Sequence, residues 1–236
     1  MLDSTGKNRK LRNAHIGAMV TAFCSPFLFL ACLRLWGTPQ PWARLNLFSG
    51  AFIALASATY IEQSLTFLRS AFRSSDTLRE AVGATFDTML VNLSIAFGFL
   101  DYAILLEYTY LHLVSALEQP VLQWIGLACA AGSITMLLWA DAWLSRHFAK
   151  EEAARTLMTA GPFRFVRHPR YVSIILAKLA SPLLLGSSIL AWISLPMWIW
   201  LVLRRIPLEE AHVRKSFGPA YDAYAARTAR LLPGIY

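Results

Sequence analysis

Four long stretches with almost no charge limit what this chain can fold into more than any other feature. They lie at about residues 14–36, 46–69, 86–106 and 121–144, and each is close to the roughly 20 apolar residues that cross a bilayer as an α-helix. Apolar residues make up 56% of the 236 and charged residues 15%, which is typical of a polytopic membrane protein and not of a soluble core. The sequence therefore predicts an all-α integral membrane fold with four spanning helices.

The positive charges follow the connections between these stretches. Of the 22 lysines and arginines, 19 fall on one side of the predicted membrane, in the N-terminal tail, the second connection, residues 146–170 and residues 204–230. The opposite side has Arg34 and Arg44. Cytoplasmic loops carry such an excess, so we expect both termini in the cytoplasm and the lipid bilayer as a partner. A bias that follows topology this closely does not indicate nucleic acid binding.

The cysteines do not predict a metal site, and the N-terminus does not predict a cleavable signal peptide. Cys24, Cys32 and Cys129 all lie within apolar stretches, without the spacing of a metal-binding motif, so we expect small buried side chains. The N-terminus begins polar, and its first apolar stretch is longer than the core of a signal peptide, so no cleavage is expected.

Residues 171–203 are too long for a single spanning helix. At the rise of an α-helix they would extend about 50 Å, against a hydrocarbon core of about 30 Å. Pro182 and the breakers within residues 183–190 divide them into two arms of about fifteen residues. We therefore predict a helical hairpin that enters and leaves the membrane on the cytoplasmic side.

The chain after the hairpin becomes polar. The spacing of Tyr221, Tyr224 and Thr228 predicts a short interfacial helix at about residues 220–229. We expect one membrane domain in two parts, an N-terminal four-helix part at residues 1–144 and a C-terminal part at residues 145–236 that contains the polar motifs.

The loop GPFRFVRHPRYVS, residues 161–173, combines cations, aromatics and prolines between two apolar stretches. Its backbone amides, His168 and the start of a helix near Tyr171 offer donors for an anion. Phe163, Phe165 and Tyr171 can enclose a flat base or face a cation. Such a loop is also typical of the positive collar that anchors a membrane protein, so by itself it leaves both interpretations open.

Three blocks in order resemble a known family. They are TLMTAGPFRFVRHPRYVS at residues 156–173, RIPLEE at residues 205–210 and FGPAYDAYAARTARLLP at residues 217–233. Together they resemble the isoprenylcysteine carboxyl methyltransferase family, within a wider group that includes membrane phospholipid N-methyltransferases. The resemblance covers residues 145–236. Phe163 stands where that family has tyrosine, and Ser173 where it has glycine.

The resemblance implies an S-adenosyl-L-methionine site at the cytoplasmic membrane face. Arg205 matches the catalytic arginine that faces the substrate group, and Glu210 would join it on the substrate side. The lipophilic substrate would be a lipid or a prenylated molecule that enters from the bilayer. The residues implied to bind the cofactor are Thr156, Leu157, Met158, Phe163, His168, Pro169, Arg170, Tyr171 and Glu209.

The chemistry of methyl transfer depends on the acceptor. A carboxylate is ionised at neutral pH and needs no general base, so catalysis would be mainly positioning, with Arg205 steering the anion. An amine or a phenol would need a base, and Glu210 and His168 are the nearby candidates. A structural alternative for Glu210 is an ion pair with Arg214, four residues later in the favourable order.

Two other classes stay open from the sequence. An NADPH-dependent membrane reductase of sterol-reductase-like architecture would use the basic loop for phosphates, and a non-catalytic membrane protein could share the fold. Four charged residues inside apolar stretches also require an explanation, because charge is unfavourable there. Lys178 could pair with Asp101 or Asp141, or these residues could line a pocket for a head group together with Glu62.

Overall fold

The computed structural model describes residues 46–72, 88–111, 113–148 and 156–234, with side chains described outside residues 60–72 and 88–98. These residues form helices, two short 3-10 turns and connecting loops. The described ranges contain no β-strand, and their β-pairing is limited to one isolated bridge between Val166 and Ala229. The predicted all-α fold is confirmed for this part of the chain. The helices are α1 Leu47–Phe72, α2 Thr88–Tyr110, α3 Pro120–Phe148, α4 Pro169–Leu184, α5 Ile189–Phe217 and α6 Pro219–Ala225.

The helices coincide with the apolar stretches, but the number of membrane spans stays a prediction. Within the described residues, Pro120–His147 and Ile189–Phe217 are long and apolar enough to cross a bilayer. Helices α1 and α2 occupy the second and third predicted stretches. The first predicted stretch, residues 14–36, lies outside the described residues.

The hairpin predicted for residues 171–203 forms from α4 and α5, but its second arm is longer than expected. The chain turns at residues 185–188 and then continues as one helix of 29 residues, from Ile189 to Phe217. The predicted length of about fifteen residues is confirmed for the first arm, α4 with 16 residues, and is wrong for the second. Pro207 lies inside α5 and does not start a new helix. The turn around Pro207 is kept helical by packing, because Ile206 is fully buried against Val202 and Tyr171.

The turn of the hairpin is fixed to α2 through the buried carboxylate of Glu107. Its two oxygens accept hydrogen bonds from the backbone N–H groups of Ile189 and Leu190, at 3.1 and 2.9 Å. The hydroxyl of Ser188 donates to the same carboxylate at 2.5 Å. Since the first N–H groups of a helix lack partners within it, and the N-terminus attracts negative charge, Glu107 stabilises the start of α5.

Replacing Glu107 by alanine should destabilise the protein more than any other change at this turn. The substitution leaves the N–H groups of Ile189 and Leu190 without their acceptor, a loss of about 1.5–3 kcal/mol for hydrogen bonds to a charged group. The measurement is the Tm in detergent. Glu118→Ala is the matched control, because Glu118 accepts a hydrogen bond from the Ser187 hydroxyl in the same turn, at 2.7 Å. Equal Tm losses in the two variants would contradict the role given to Glu107.

The interfacial helix predicted at residues 220–229 is present but shorter. It spans Pro219–Ala225, with Tyr221 and Tyr224 buried on one side. Thr228 lies beyond its end, in a segment that turns back along the loop before α4.

Of the two partners expected for Lys178, Asp101 and Asp141, the structure shows Asp101. Lys178 lies 2.6 and 2.8 Å from the two carboxylate oxygens of Asp101, and its ammonium lies 4.8 Å from the centre of the Trp198 ring. Asp141 is 3.4 Å from Arg170 instead. The side chain of Glu62 lies outside the described residues. The Lys178–Asp101 pair therefore joins the hairpin to α2.

Candidate active site

The loop before α4 is shaped by one glycine and two prolines. Gly161 has a φ of +61°, and a Cβ at this position would lie 2.6 Å from the ring atoms of Trp143, so glycine is required both by backbone conformation and by space. Pro162 is buried in a 3-10 turn, and Pro169 is in the first turn of α4. The loop therefore enters α4 in a fixed direction, with His168 at its N-cap.

The loop pairs with the chain near the C-terminus. We call residues 226–231 the C-terminal strap. The N–H of Arg167 donates to the carbonyl of Ala229 at 2.8 Å, and the N–H of His168 donates to the carbonyl of Arg230 at 3.1 Å. This pairing places the first and third sequence blocks side by side.

Glu209 is the point at which the predicted site residues converge. Its Oε1 accepts hydrogen bonds from the hydroxyl of Tyr171 and from Nε of Arg205, the latter at 3.1 Å. Its Oε2 lies 3.8 Å from Nδ1 of His168. The rings of His168 and Tyr171 are stacked with centroids 5.6 Å apart. Four residues predicted from separate blocks thus form one cluster beside the loop before α4, at the end of the hairpin opposite its turn.

Glu210 lies beside this cluster with both carboxylate oxygens engaged. Arg167 donates to Oε1 at 2.8 Å, Nη2 of Arg230 lies 2.9 Å from Oε2, and Nε2 of His168 lies 3.4 Å from Oε1. The alternative pairing of Glu210 with Arg214 is wrong. Arg214 pairs with Asp222 at 2.7 Å, because Glu210 is buried toward the loop while Arg214 is exposed.

The remaining predicted residues lie along the loop and the segment before it. Thr156 contacts Nε2 of His147 through its carbonyl at 3.0 Å, and Leu157 and Met158 are half-buried in the extended chain that follows. The carbonyl of Phe163 accepts a hydrogen bond of 2.6 Å from the hydroxyl of Tyr224. Whether these residues contact a ligand stays a prediction, as does a substrate contact by Glu210.

The expectation that the amides of the loop would bind an anion is wrong for most of them. The N–H groups of Phe163, Phe165, Val166, Arg167 and His168 all donate to carbonyl groups of the chain. A ligand carboxylate at this site would therefore rely on side-chain cations, such as Arg205 within the cluster and Arg170 next to Tyr171.

Three residues at this site were not predicted from the sequence as site residues. Arg167 and Arg230 hold Glu210, and Tyr224 holds the loop through the carbonyl of Phe163. Burial raises the pKa of Tyr224 to about 12, so its hydroxyl keeps the proton that it donates. Arg167 and Arg230 lie within the first and third sequence blocks. Their positions in the sequence do not show that both contact Glu210, because Glu210 is on a different element of the fold.

Among the side chains that the structure describes, no group of three histidine, cysteine or carboxylate residues is placed to hold an ion.

Comparison with known proteins gives matches of two kinds, one to a family model and others to individual proteins. A family model described as phospholipid methyltransferase matches residues 120–220. A protein-S-isoprenylcysteine O-methyltransferase of Schizosaccharomyces pombe is 32% identical over 88 residues, 37% of each chain. A probable protein-S-isoprenylcysteine O-methyltransferase of Oryza sativa subsp. indica is 26% identical over 200 residues, 83% of this chain and 97% of its own.

The alignments differ in what they cover. The chain spans well under half of the Schizosaccharomyces pombe protein in that alignment and nearly all of the rice protein. No solved structure matches the chain. The matches confirm the resemblance drawn from the three sequence blocks.

Proposed function

We propose that this chain, a methyltransferase related to the isoprenylcysteine carboxyl methyltransferases, is an integral membrane enzyme that uses S-adenosyl-L-methionine. Its acceptor would be a lipid-like or prenylated molecule, with a carboxylate oxygen as the preferred acceptor atom. The site would face the cytoplasm, as would both termini, and the acceptor would enter from the bilayer. The relatives named as methyltransferases and the cluster around Glu209 support this proposal.

The residues at the site fit the chemical groups of S-adenosyl-L-methionine. The Glu209 carboxylate is partly exposed and has acceptor capacity left on Oε2 for an amine or a ribose hydroxyl. Arg170 is a partly exposed cation for the methionine carboxylate. Phe163 would present its ring to the adenine or the sulfonium, and Tyr171 would act beside it through its hydroxyl bond to Glu209. Thr156, Leu157, Met158 and Pro169 would complete the walls, and His168 the polar edge.

The protein would contribute mainly orientation. S-adenosyl-L-methionine, when bound, supplies a methyl group on a positively charged sulfur, so that the acceptor oxygen forms the new C–O bond as the C–S bond breaks. Arg205 is held in position by Glu209, and its positive charge would direct the acceptor carboxylate. Tyr171 shares the same Glu209 oxygen and keeps that carboxylate in place.

The contacts made by the two candidate bases, Glu210 and His168, favour a carboxylate acceptor. An amine or a phenol must lose a proton, but Glu210 has both oxygens engaged by arginines, and His168 has a carboxylate facing each ring nitrogen. A carboxylate acceptor needs no base. This is the observation on which O-methylation rests. Phospholipid N-methylation is the second candidate, supported by the description of the matching family model.

Glu209→Ala should abolish cofactor binding, because it removes the carboxylate on which Tyr171, Arg205 and His168 converge. The measurement is calorimetric titration of the detergent-purified protein with S-adenosylhomocysteine. We expect saturable binding by the wild type and a loss of at least about 100-fold in the variant, a size typical of losing several hydrogen bonds to one charged group. Asp222→Ala is the matched control, since Asp222 is a carboxylate in an exposed ion pair with Arg214.

The outcomes separate the alternatives. Wild-type affinity in Glu209→Ala would overturn the site assignment. A folded wild type that binds NADPH and not S-adenosylhomocysteine would replace the methyltransferase by the reductase, and one that binds neither would indicate a non-catalytic protein. Methyl transfer to a prenylated cysteine compared with phosphatidylethanolamine then decides the acceptor class.

A further inference from the structure

We infer that Arg167, Glu210 and Arg230 form a clasp that holds the C-terminal strap against the loop and thereby positions His168 in the cofactor site. In this role Glu210 is a positioning residue and does not contact substrate. The inference rests on the proposed function, because it concerns the same site.

The backbone pairing between the strap and the loop is very short. The pairing consists of two hydrogen bonds, from the N–H groups of Arg167 and His168 to the carbonyls of Ala229 and Arg230. So short a ladder has little stability in contact with water, where each bond contributes about 0.5–1.5 kcal/mol. Side chains must therefore supply most of what holds the strap in place.

Arg167 holds the first part of the strap and the helix that leads into it. Its Nη1 donates to the carbonyl of Ala225 at 2.8 Å and to the carbonyl of Thr228. The same side chain donates from Nε to Glu210 at 2.8 Å. One guanidinium thus connects the end of α6, the strap and α5, with donors in fixed directions.

Arg230 holds the last part of the strap to the same carboxylate. Its Nε and Nη2 lie 3.1 and 2.9 Å from Oε2 of Glu210. Because this is a two-donor contact with a carboxylate that is almost fully buried, it fixes direction as well as distance. Glu210 therefore anchors the strap at Thr228, through Arg167, and at Arg230.

His168 is held from three directions by this arrangement. Its N–H is bound to the strap at Arg230, its Nε2 faces Glu210 at 3.4 Å, and its Nδ1 faces Glu209 at 3.8 Å. Releasing the strap would remove the first constraint and loosen the second. The ring would then lose its fixed orientation beside Glu209, where the cofactor is proposed to bind.

Arg230 is the member of the clasp best suited to a test. Its side chain is 35% exposed, compared with 11% for Arg167 and 6% for Glu210, so its removal does not empty the protein interior. Arg227 is the matched control, because it is an exposed arginine of the same strap. We compare Arg230→Ala, Arg230→Gln, Arg230→Lys and Arg227→Ala with the wild type, by titration with S-adenosylhomocysteine.

We expect the dissociation constant of Arg230→Ala and Arg230→Gln to rise about tenfold, the size of one lost charge-assisted contact. Arg230→Lys should recover most of the affinity, and Arg227→Ala should match the wild type. A purely structural role would lower the Tm and the fraction of binding-competent protein but leave the dissociation constant unchanged. That result, or an equal effect of Arg227→Ala, would overturn the inference; if Arg230→Ala does not fold, Arg230→Gln decides.

Hydrogen exchange separates failure of the clasp from failure of the proposed function. The amides of Arg167 and His168 should exchange faster in Arg230→Ala than in Arg227→Ala, whether or not any ligand binds. Unchanged exchange would show that Arg230 does not hold the strap, even in a protein that binds S-adenosylhomocysteine. Absence of ligand binding by the wild type would instead reject the proposed function and, with it, the role of the clasp in positioning the cofactor.

Discussion

Arg205→Ala should lower kcat/KM for a carboxylate acceptor by about 100-fold or more, the size typical of losing one preorganised donor to an anion. The substitution leaves the acceptor without the guanidinium that Glu209 holds in position at 3.1 Å. Most of the loss should be in the kinetic parameters for the acceptor. The measurement is the initial rate of methyl transfer to a prenylated cysteine, at varied concentrations of acceptor and donor.

Arg204→Ala is the matched control for this experiment. Arg204 is the neighbouring residue on α5, exposed, with its guanidinium 5.7 Å from the centre of the Trp200 ring. Its removal should leave the kinetics close to those of the wild type. A loss in Arg205→Ala that appears only as weaker donor binding would show that Arg205 supports Glu209 and does not direct the acceptor.

Lys178→Met should be the most destabilising single substitution in the hairpin. It leaves the carboxylate of Asp101 buried without its cation, and breaking a buried pair by removing one partner costs about 3–5 kcal/mol. It also removes the contact with the face of Trp198. The measurement is thermal or denaturant unfolding in detergent, followed by a probe of helix content.

The double variant Asp101→Leu with Lys178→Met tests the reason for this loss. Because it removes both charges together, it should recover most of the stability, as replacement of buried ion pairs by apolar side chains often does. Asp222→Ala, at an exposed pair, should change the Tm little. A double variant as unstable as Lys178→Met would show that the residues matter for packing and not for charge.

The parts of the fold that the sequence predicted correctly depend on local features. Apolar length gave helices at residues 46–69, 86–106 and 121–144, and proline, glycine and serine placed the turn of the hairpin. The same reasoning ended the second arm too early at Arg204, because polar residues and Pro207 normally end an apolar helix. Burial of Ile206 against Tyr171 kept α5 continuous, and a contact between two helices leaves no local signal.

At the candidate site too, the sequence predicted residues within motifs correctly but not ion-pair partners that are distant in the sequence. The first two blocks identified His168, Tyr171, Arg205 and Glu209, and these residues do meet in space. The partner of Glu210 was expected four residues away, at Arg214, but its partners are 43 and 20 residues away, at Arg167 and Arg230. Helical spacing predicts a pair only when both side chains lie on one exposed helix face.

The sequence by itself determined that this chain forms apolar helices, that its polar chemistry lies in the C-terminal part, and which family its blocks resemble. These properties follow from composition, period and local order along the chain. The tertiary structure decided which aspartate pairs with Lys178, how far α5 extends, and which arginines hold Glu210. The physical reason is that a buried charge takes its partner from whichever element packs against it, and the relative placement of helices is set by the packing of the whole chain.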